Sequence, residues 1–106
     1  MKTIIILLLI TATGFASGVV ATWTGSGSRS TESFLITHNA WRVSWTTDDA
    51  IVVSVYNADT DSFVGYGSTK APGTGYTVIR ENGRFYLKVV SFSGQWTITV
   101  TEGERE

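Results

Sequence analysis

Apolar residues recur at every second position along most of this chain, in short runs separated by clusters of Gly, Asn, Asp and Ser. "TESFLIT" sets Phe34 and Ile36 on one face, and "WRVSWT" aligns Trp41, Val43 and Trp45 against Arg42, Ser44 and Thr46. "IVVSVY" sets Ile51, Val53 and Val55 against Val52, Ser54 and Tyr56. "FYLKVV" repeats the pattern with Phe85, Leu87 and Val89, and "QWTITV" with Trp96, Ile98 and Val100. A period of two belongs to a strand with one buried face, because successive side chains point to opposite sides of a sheet. No window sustains the spacing of an amphipathic helix.

The segments between these runs read as turns. "THNA", "TTDD", "NADTD" and "SFSG" carry the Asx, Ser and Gly residues that turns prefer. "GSGSRS" (25–30) reads as a flexible entry, and "KAPGTG", with the only Pro, as the strongest loop signal. "SFVGYGS" is a Gly-interrupted strand expected at an edge or bulge, "YTVIR" is a strand, and the Asn-Gly pair of "ENGR" predicts a type I′ hairpin. The pattern therefore predicts an all-β, antiparallel β-sandwich of about seven to eight short strands over 22–100. Residues 101–106, "TEGERE", form a charged tail expected to fray.

Composition adds a location. Lys2, the unbroken apolar run from Ile4 to Ile10 and the small residues up to Ala21 have the three regions of a secretory signal peptide. Cleavage is expected after Ala21, with Val19 at the −3 position, or after Ala16. The alternative is an uncleaved anchor: Ile4 to Val20 is 17 residues, the lower limit for spanning about 30 Å of hydrocarbon. Either way the domain is exported, to the cell surface, periplasm or medium, and touches a membrane only through this segment if it is retained. Beyond Ala21 the chain holds seven basic and nine acidic side chains, a net charge of −2, with no basic stripe for nucleic acid. It has no Cys, so an exported domain this small lacks disulfide staples. Four Trp, and four Tyr and four Phe beyond Ala21, supply the burial instead, each ring removing about 150–250 Å² from water. Trp41 and Trp45 are accordingly expected in the core.

Candidate chemistry is sparse. His38 is the only histidine and sits in a turn, with no second His or Cys for a zinc cage and no nucleophile pattern for a triad. Asn57, Asp59 and Asp61 resemble the first half of a calcium loop, and Asp48 and Asp49 would join them if both turns lay at one end of the sandwich. The loop lacks the Gly and distal Glu of the full pattern, so Asx turns are the competing expectation. The Gly-rich stretches "GSGS" and "GYGS" precede no helix and are not phosphate cradles. Tyr56, Tyr66, Tyr76 and Tyr86 recur every ten residues, and Tyr56 and Tyr86 lie opposite the apolar faces of their strands. An outward Tyr row suits a protein or glycan partner, with Arg42, Lys88 and Gln95 on neighbouring outward positions.

"TGSGSRSTESFLIT", "WRVSW", "VVSVYNADT" and "GRFYLKVVSFSGQWTITV" together resemble small exported bacterial β-sandwich domains of unknown function. The closing strands are similar to the pre-peptidase C-terminal type of domain, where a Gly-x-Tyr-x-Leu-x-Val strand and a final alternating strand form a sheet edge. The likeness spans Thr24 to Val100 and rests on packing motifs, which imply fold and not activity. Two departures stand out: the Cys of a lipoprotein is missing, and no catalytic domain is attached. The expectation is a non-catalytic module without cofactor, binding an unknown protein or glycan. The alternative is a structural subunit that assembles through its N-terminal segment or by strand addition, a homo-oligomer where the partner is a second copy. Mass spectrometry of the exported protein should return a chain beginning at Thr22 or Ser17; an intact Met1 would establish the anchor.

Overall fold

The computed structural model describes residues 18–70, 72–92 and 94–103. Among these the chain forms no helix and nine strands: β1 (Gly18–Ser26), β2 (Arg29–Ser30), β3 (Phe34–Ile36), β4 (Trp41–Thr47), β5 (Ile51–Asn57), β6 (Phe63–Thr69), β7 (Gly73–Ile79), β8 (Gly83–Ser91) and β9 (Gln95–Glu102). All pairings are antiparallel, in two sheets. The four-stranded sheet runs β1-β9-β4-β7, and the five-stranded sheet runs β2-β8-β5-β6 with β3 following β2 along β8. Between β2 and β3, Thr31 keeps the ladder closed: its N–H donates to Leu87 O at 2.9 Å and its hydroxyl accepts from Leu87 N at 3.0 Å.

The alternation read from the sequence is the burial pattern of the fold. Trp41, Val43, Ile51, Val53, Val55, Phe85, Leu87, Val89, Trp96, Ile98 and Val100 are all buried between the sheets. Trp45 is buried with them. Trp23, Phe34, Trp41 and Phe85 form a continuous row of tilted and edge-to-face ring contacts, at centroid separations of 5.0 to 5.6 Å.

All four indoles belong to the four-stranded sheet, and every indole N–H has a partner. Trp23 donates to Glu32 Oε1 at 3.3 Å, Trp41 to Glu81 O at 3.0 Å, Trp45 to Thr69 Oγ1 at 2.9 Å and Trp96 to Gly27 O at 3.0 Å. Trp45 also accounts for two glycines. A Cβ at Gly67 of β6 would stand 2.4 Å from its ring, and one at Gly75 of β7 would stand 2.7 Å from its Nε1. The glycines that interrupt these strands are the space its indole occupies.

Several sequence expectations change. "GSGSRS" is not a flexible entry: Gly25 and Ser26 end β1, and Arg29 and Ser30 form β2. Beside Gly25 there is little room, since a Cβ there would meet Trp96 at 3.1 Å, so Trp23 is the one apolar side chain in the second half of this strand and its alternation is weak. The "KAPGTG" loop is shorter than expected, because Gly73 and Gly75 pair with Thr47 and Trp45 as part of β7. "ENGR" is not a hairpin. It carries the chain from β7 in one sheet to β8 in the other, and Asn82 lacks the positive φ that a type I′ turn requires. Thr101 and Glu102 extend β9 and do not fray, whereas 104–106 lie outside the described residues. The signal segment lies outside them up to residue 17, and the boundary expected at Ala21 falls within β1, whose pairing with β9 starts at Gly18.

Trp45→Ala should cost ~3–5 kcal/mol by urea unfolding, from lost burial and the cavity left behind. Gly67→Ala should also destabilise strongly, because its methyl meets a ring wedged between two strands.

Candidate functional site: two outer sheet faces

With the core sealed, function falls to the outward side chains. The four tyrosines do not form one row. Tyr56, Tyr66 and Tyr86 stand on β5, β6 and β8 of the five-stranded sheet, whereas Tyr76 stands on β7 of the other. A ten-residue recurrence carries no information about which sheet a strand joins.

On the five-stranded sheet, Tyr56 and Tyr86 are direct cross-strand partners and stack at 5.5 Å with an interplanar angle of 14°. A register shift between Val55 and Tyr56 brings Phe63 opposite Tyr56, edge to face at 5.8 Å. Phe63 in turn lies 6.3 Å from Tyr66. The Lys88 ammonium sits 4.8 Å from the Tyr56 ring centroid, a cation–π contact. Phe63 is the member that sequence reasoning missed. A bulge places it, and "SFVGYGS" signals a bulge without saying which side chain turns outward. Leu35, Val52 and Val90 are exposed on the same face, and Phe92 is exposed just beyond the end of β8.

The Asx-rich turn serves this cluster. Asn57 Oδ1 accepts from the N–H groups of Asp59 and Thr60 at 2.8 and 3.1 Å, closing an Asx turn. Asp61 adopts φ 61°, a left-handed conformation that Asp tolerates, and its N–H donates to Asn57 O at 2.7 Å. There its Oδ1 accepts from the Tyr86 hydroxyl at 2.9 Å. That bond, followed by slight desolvation and the nearby negative charge, holds the phenol above its ordinary 10.0. Asp59 faces Arg84 at 3.8 Å with both groups exposed, a contact of little energetic weight. The three calcium candidates thus point to different partners. Asp48 and Asp49 lie at the opposite end of β5, where Asp48 Oδ1 accepts from Gln95 N and Asp49 Oδ1 from Ala50 N. Among the described residues no three His, Asp or Glu side chains gather closely enough to hold a metal ion.

The outer face of the four-stranded sheet has another character. Thr24, Thr97, Thr46 and Thr74 lie in register across all four strands. The Arg42 guanidinium lies 4.6 Å from the Tyr76 ring centroid. Arg42 and Tyr76, with Ser44, Thr46, Thr74 and Thr97, line an open groove of about 620 Å³. Gln95, at the start of β9, pairs with Ser26 beyond this groove.

His38 is an exposed turn residue whose Nδ1 lies 3.2 Å from Glu102 Oε1. The same carboxylate accepts from Thr37 N at 2.9 Å, tying the end of β9 to the β3–β4 connection. Partial burial pushes the Glu102 carboxyl up, but the Thr37 N–H and the His38 contacts outweigh it, so the group titrates below its ordinary 4.5. Comparison with known proteins finds no family model, curated relative or solved structure that matches this chain.

A depressed carboxylate favours the fold above its unfolded-state value, and that contribution fades as pH falls through the lower folded-state value. Thermal melts should therefore show Glu102→Gln losing less stability than the wild type between pH 7 and pH 3.

Proposed function

We propose that this protein is a non-catalytic, exported binding module that docks a partner protein on the outer face of its five-stranded sheet. The carrying observation is the distribution of exposed apolar side chains. Leu35, Val52, Phe63, Tyr66 and Val90 stand on that face and Phe92 at its end, while Val19 and Tyr76 are the other large ones exposed among the described residues. Contiguous apolar surface rimmed by polar groups marks protein contact sites, and Tyr and Phe are the anchors such sites favour. A protein partner suits this face better than a sugar. Tyr56 is already engaged by Tyr86, Phe63 and Lys88, so its ring offers no open platform. Export rests on the N-terminal segment, which lies outside the described residues.

A glycan reading finds its support on the other sheet, where exposed Tyr76, held by Arg42, lines a groove of hydroxyl side chains. The strand-donation alternative loses its simplest form, because the lead from Thr22 to Ser26 pairs with β9 of its own chain.

Capture of partners from the source culture with the tagged protein should be lost, by about tenfold or more, on Phe63→Ala or Tyr66→Ala. Both residues are exposed, so melting temperatures should barely move. Tyr76→Ala should leave capture intact and abolish any signal on a glycan array. Capture unaffected by both Phe63 and Tyr66 substitutions would sink the docking face.

A further inference from the structure

The outer face of the five-stranded sheet carries charge of one sign. Among the outward positions of its strands only Arg84 and Lys88 are charged, and both are basic. Arg84 already has Asp59 at 3.8 Å in the turn beside it. Lys88 stands further in: it pairs in register with Ser30 on one side and Ser54 on the other, and Ser54 faces Tyr66. Tyr86 and Val90 flank it along β8. Its ammonium is turned away from the edge strand β2 and toward β5, 4.8 Å from the Tyr56 ring centroid. No carboxylate of the described residues pairs with it. A lysine at a rim can run its stem out to water, but this one points into the face. A partner that covers Tyr66, Val52 and Val90 therefore covers the ammonium too. Burying an amine without a counter-charge is strongly unfavourable, and one aromatic ring offsets only part of that cost.

We propose that this face recognises an acidic segment of its partner protein, with an Asp or Glu carboxylate on Lys88 between the Ser30 and Ser54 hydroxyls. Apolar side chains of the same segment lie on Phe63, Tyr66 and Val52. The inference rests on the docking reading and adds the chemistry of the partner. An ammonium with a hydroxyl across the ladder on each side is a donor set for one carboxylate, and charge-assisted bonds are the strong ones. A phosphate dianion suits it less. The next cation, Arg84, is four residues away along β8, about 13 Å by the strand rise, and faces Asp59. A second copy of this chain also fits poorly, because its own face brings the same two cations and no acid on its strands.

The test selects a library of random linear peptides on the immobilised protein and measures the enriched sequences, as synthetic peptides, by calorimetry. Enriched peptides should carry an Asp or Glu flanked by apolar or aromatic residues. Their affinity should fall about thirtyfold or more on Lys88→Gln, and as much when the peptide's acid becomes its amide. Both changes together should cost little more than either alone, since each removes the same ion pair. Lys88→Glu should instead bind a peptide with Lys in the acidic position. Lys88 is exposed, so these variants should keep the wild-type melting temperature. Peptides that require Phe63 and Tyr66 yet bind Lys88→Gln unchanged would overturn the acidic recognition and leave the docking face standing. A selection that yields nothing sensitive to Phe63→Ala or Tyr66→Ala would overturn both. Binding to vesicles of phosphatidylcholine and phosphatidylglycerol in equal parts, abolished by Lys88→Gln, would make the occupant a membrane and overturn the proposal. A dimer in sedimentation that Phe63→Ala dissociates would overturn it in favour of a second copy.

Discussion

Trp23, Trp41, Trp45 and Trp96 rise from one sheet into the core; three of their indole N–H groups bond a segment at or beside a passage between sheets, and that of Trp23 bonds Glu32 in the link between β2 and β3. The arrangement follows from the topology. Only β5 and β6 are consecutive strands paired with each other, and most remaining connections carry the chain from one sheet to the other. Such connections have few ladder bonds of their own, and the chain contains no Cys to staple them. An indole suits this position because its body is apolar and its N–H must find an acceptor once buried. The glycines at 67 and 75 belong to the same constraint, since Trp45 fits only where two neighbouring strands lack side chains.

A core sealed in this way leaves two outer faces free to differ. The four-stranded sheet presents hydroxyls in register, flanked by Arg42 over Tyr76. The five-stranded sheet presents Tyr, Phe, Val and Leu, some packed against each other and the rest exposed. The left-handed turn at Asp61 holds the Tyr86 hydroxyl, so part of the apolar face is preorganised by the fold. Preorganised aromatic surface is the kind that binds with little ordering cost.

Much of this was legible in the residues. Period-two alternation in β4, β5, β8 and β9 names the buried face of each strand, because burial on one side of a pleated sheet admits no other spacing. Where the alternation is carried by small residues the signal fades. β1 and the first residues of β7 were hidden because Gly25 and Gly75 make room for indoles and contribute no hydrophobicity of their own. The site was less legible than the core. Tyr56 and Tyr86 read as outward, but their pairing, the arrival of Phe63 through a bulge and the departure of Tyr76 to the other sheet did not.

The sequence by itself determined that the chain is all-β, which side of its most regular strands is buried, and that aromatic rings replace disulfides. These are local or compositional properties, readable from spacing and residue type. Only the tertiary structure decided which strands are neighbours, because β pairing joins residues far apart in the chain through backbone groups that every sequence shares. For that reason "ENGR" became a crossover and the tyrosines divided between two faces.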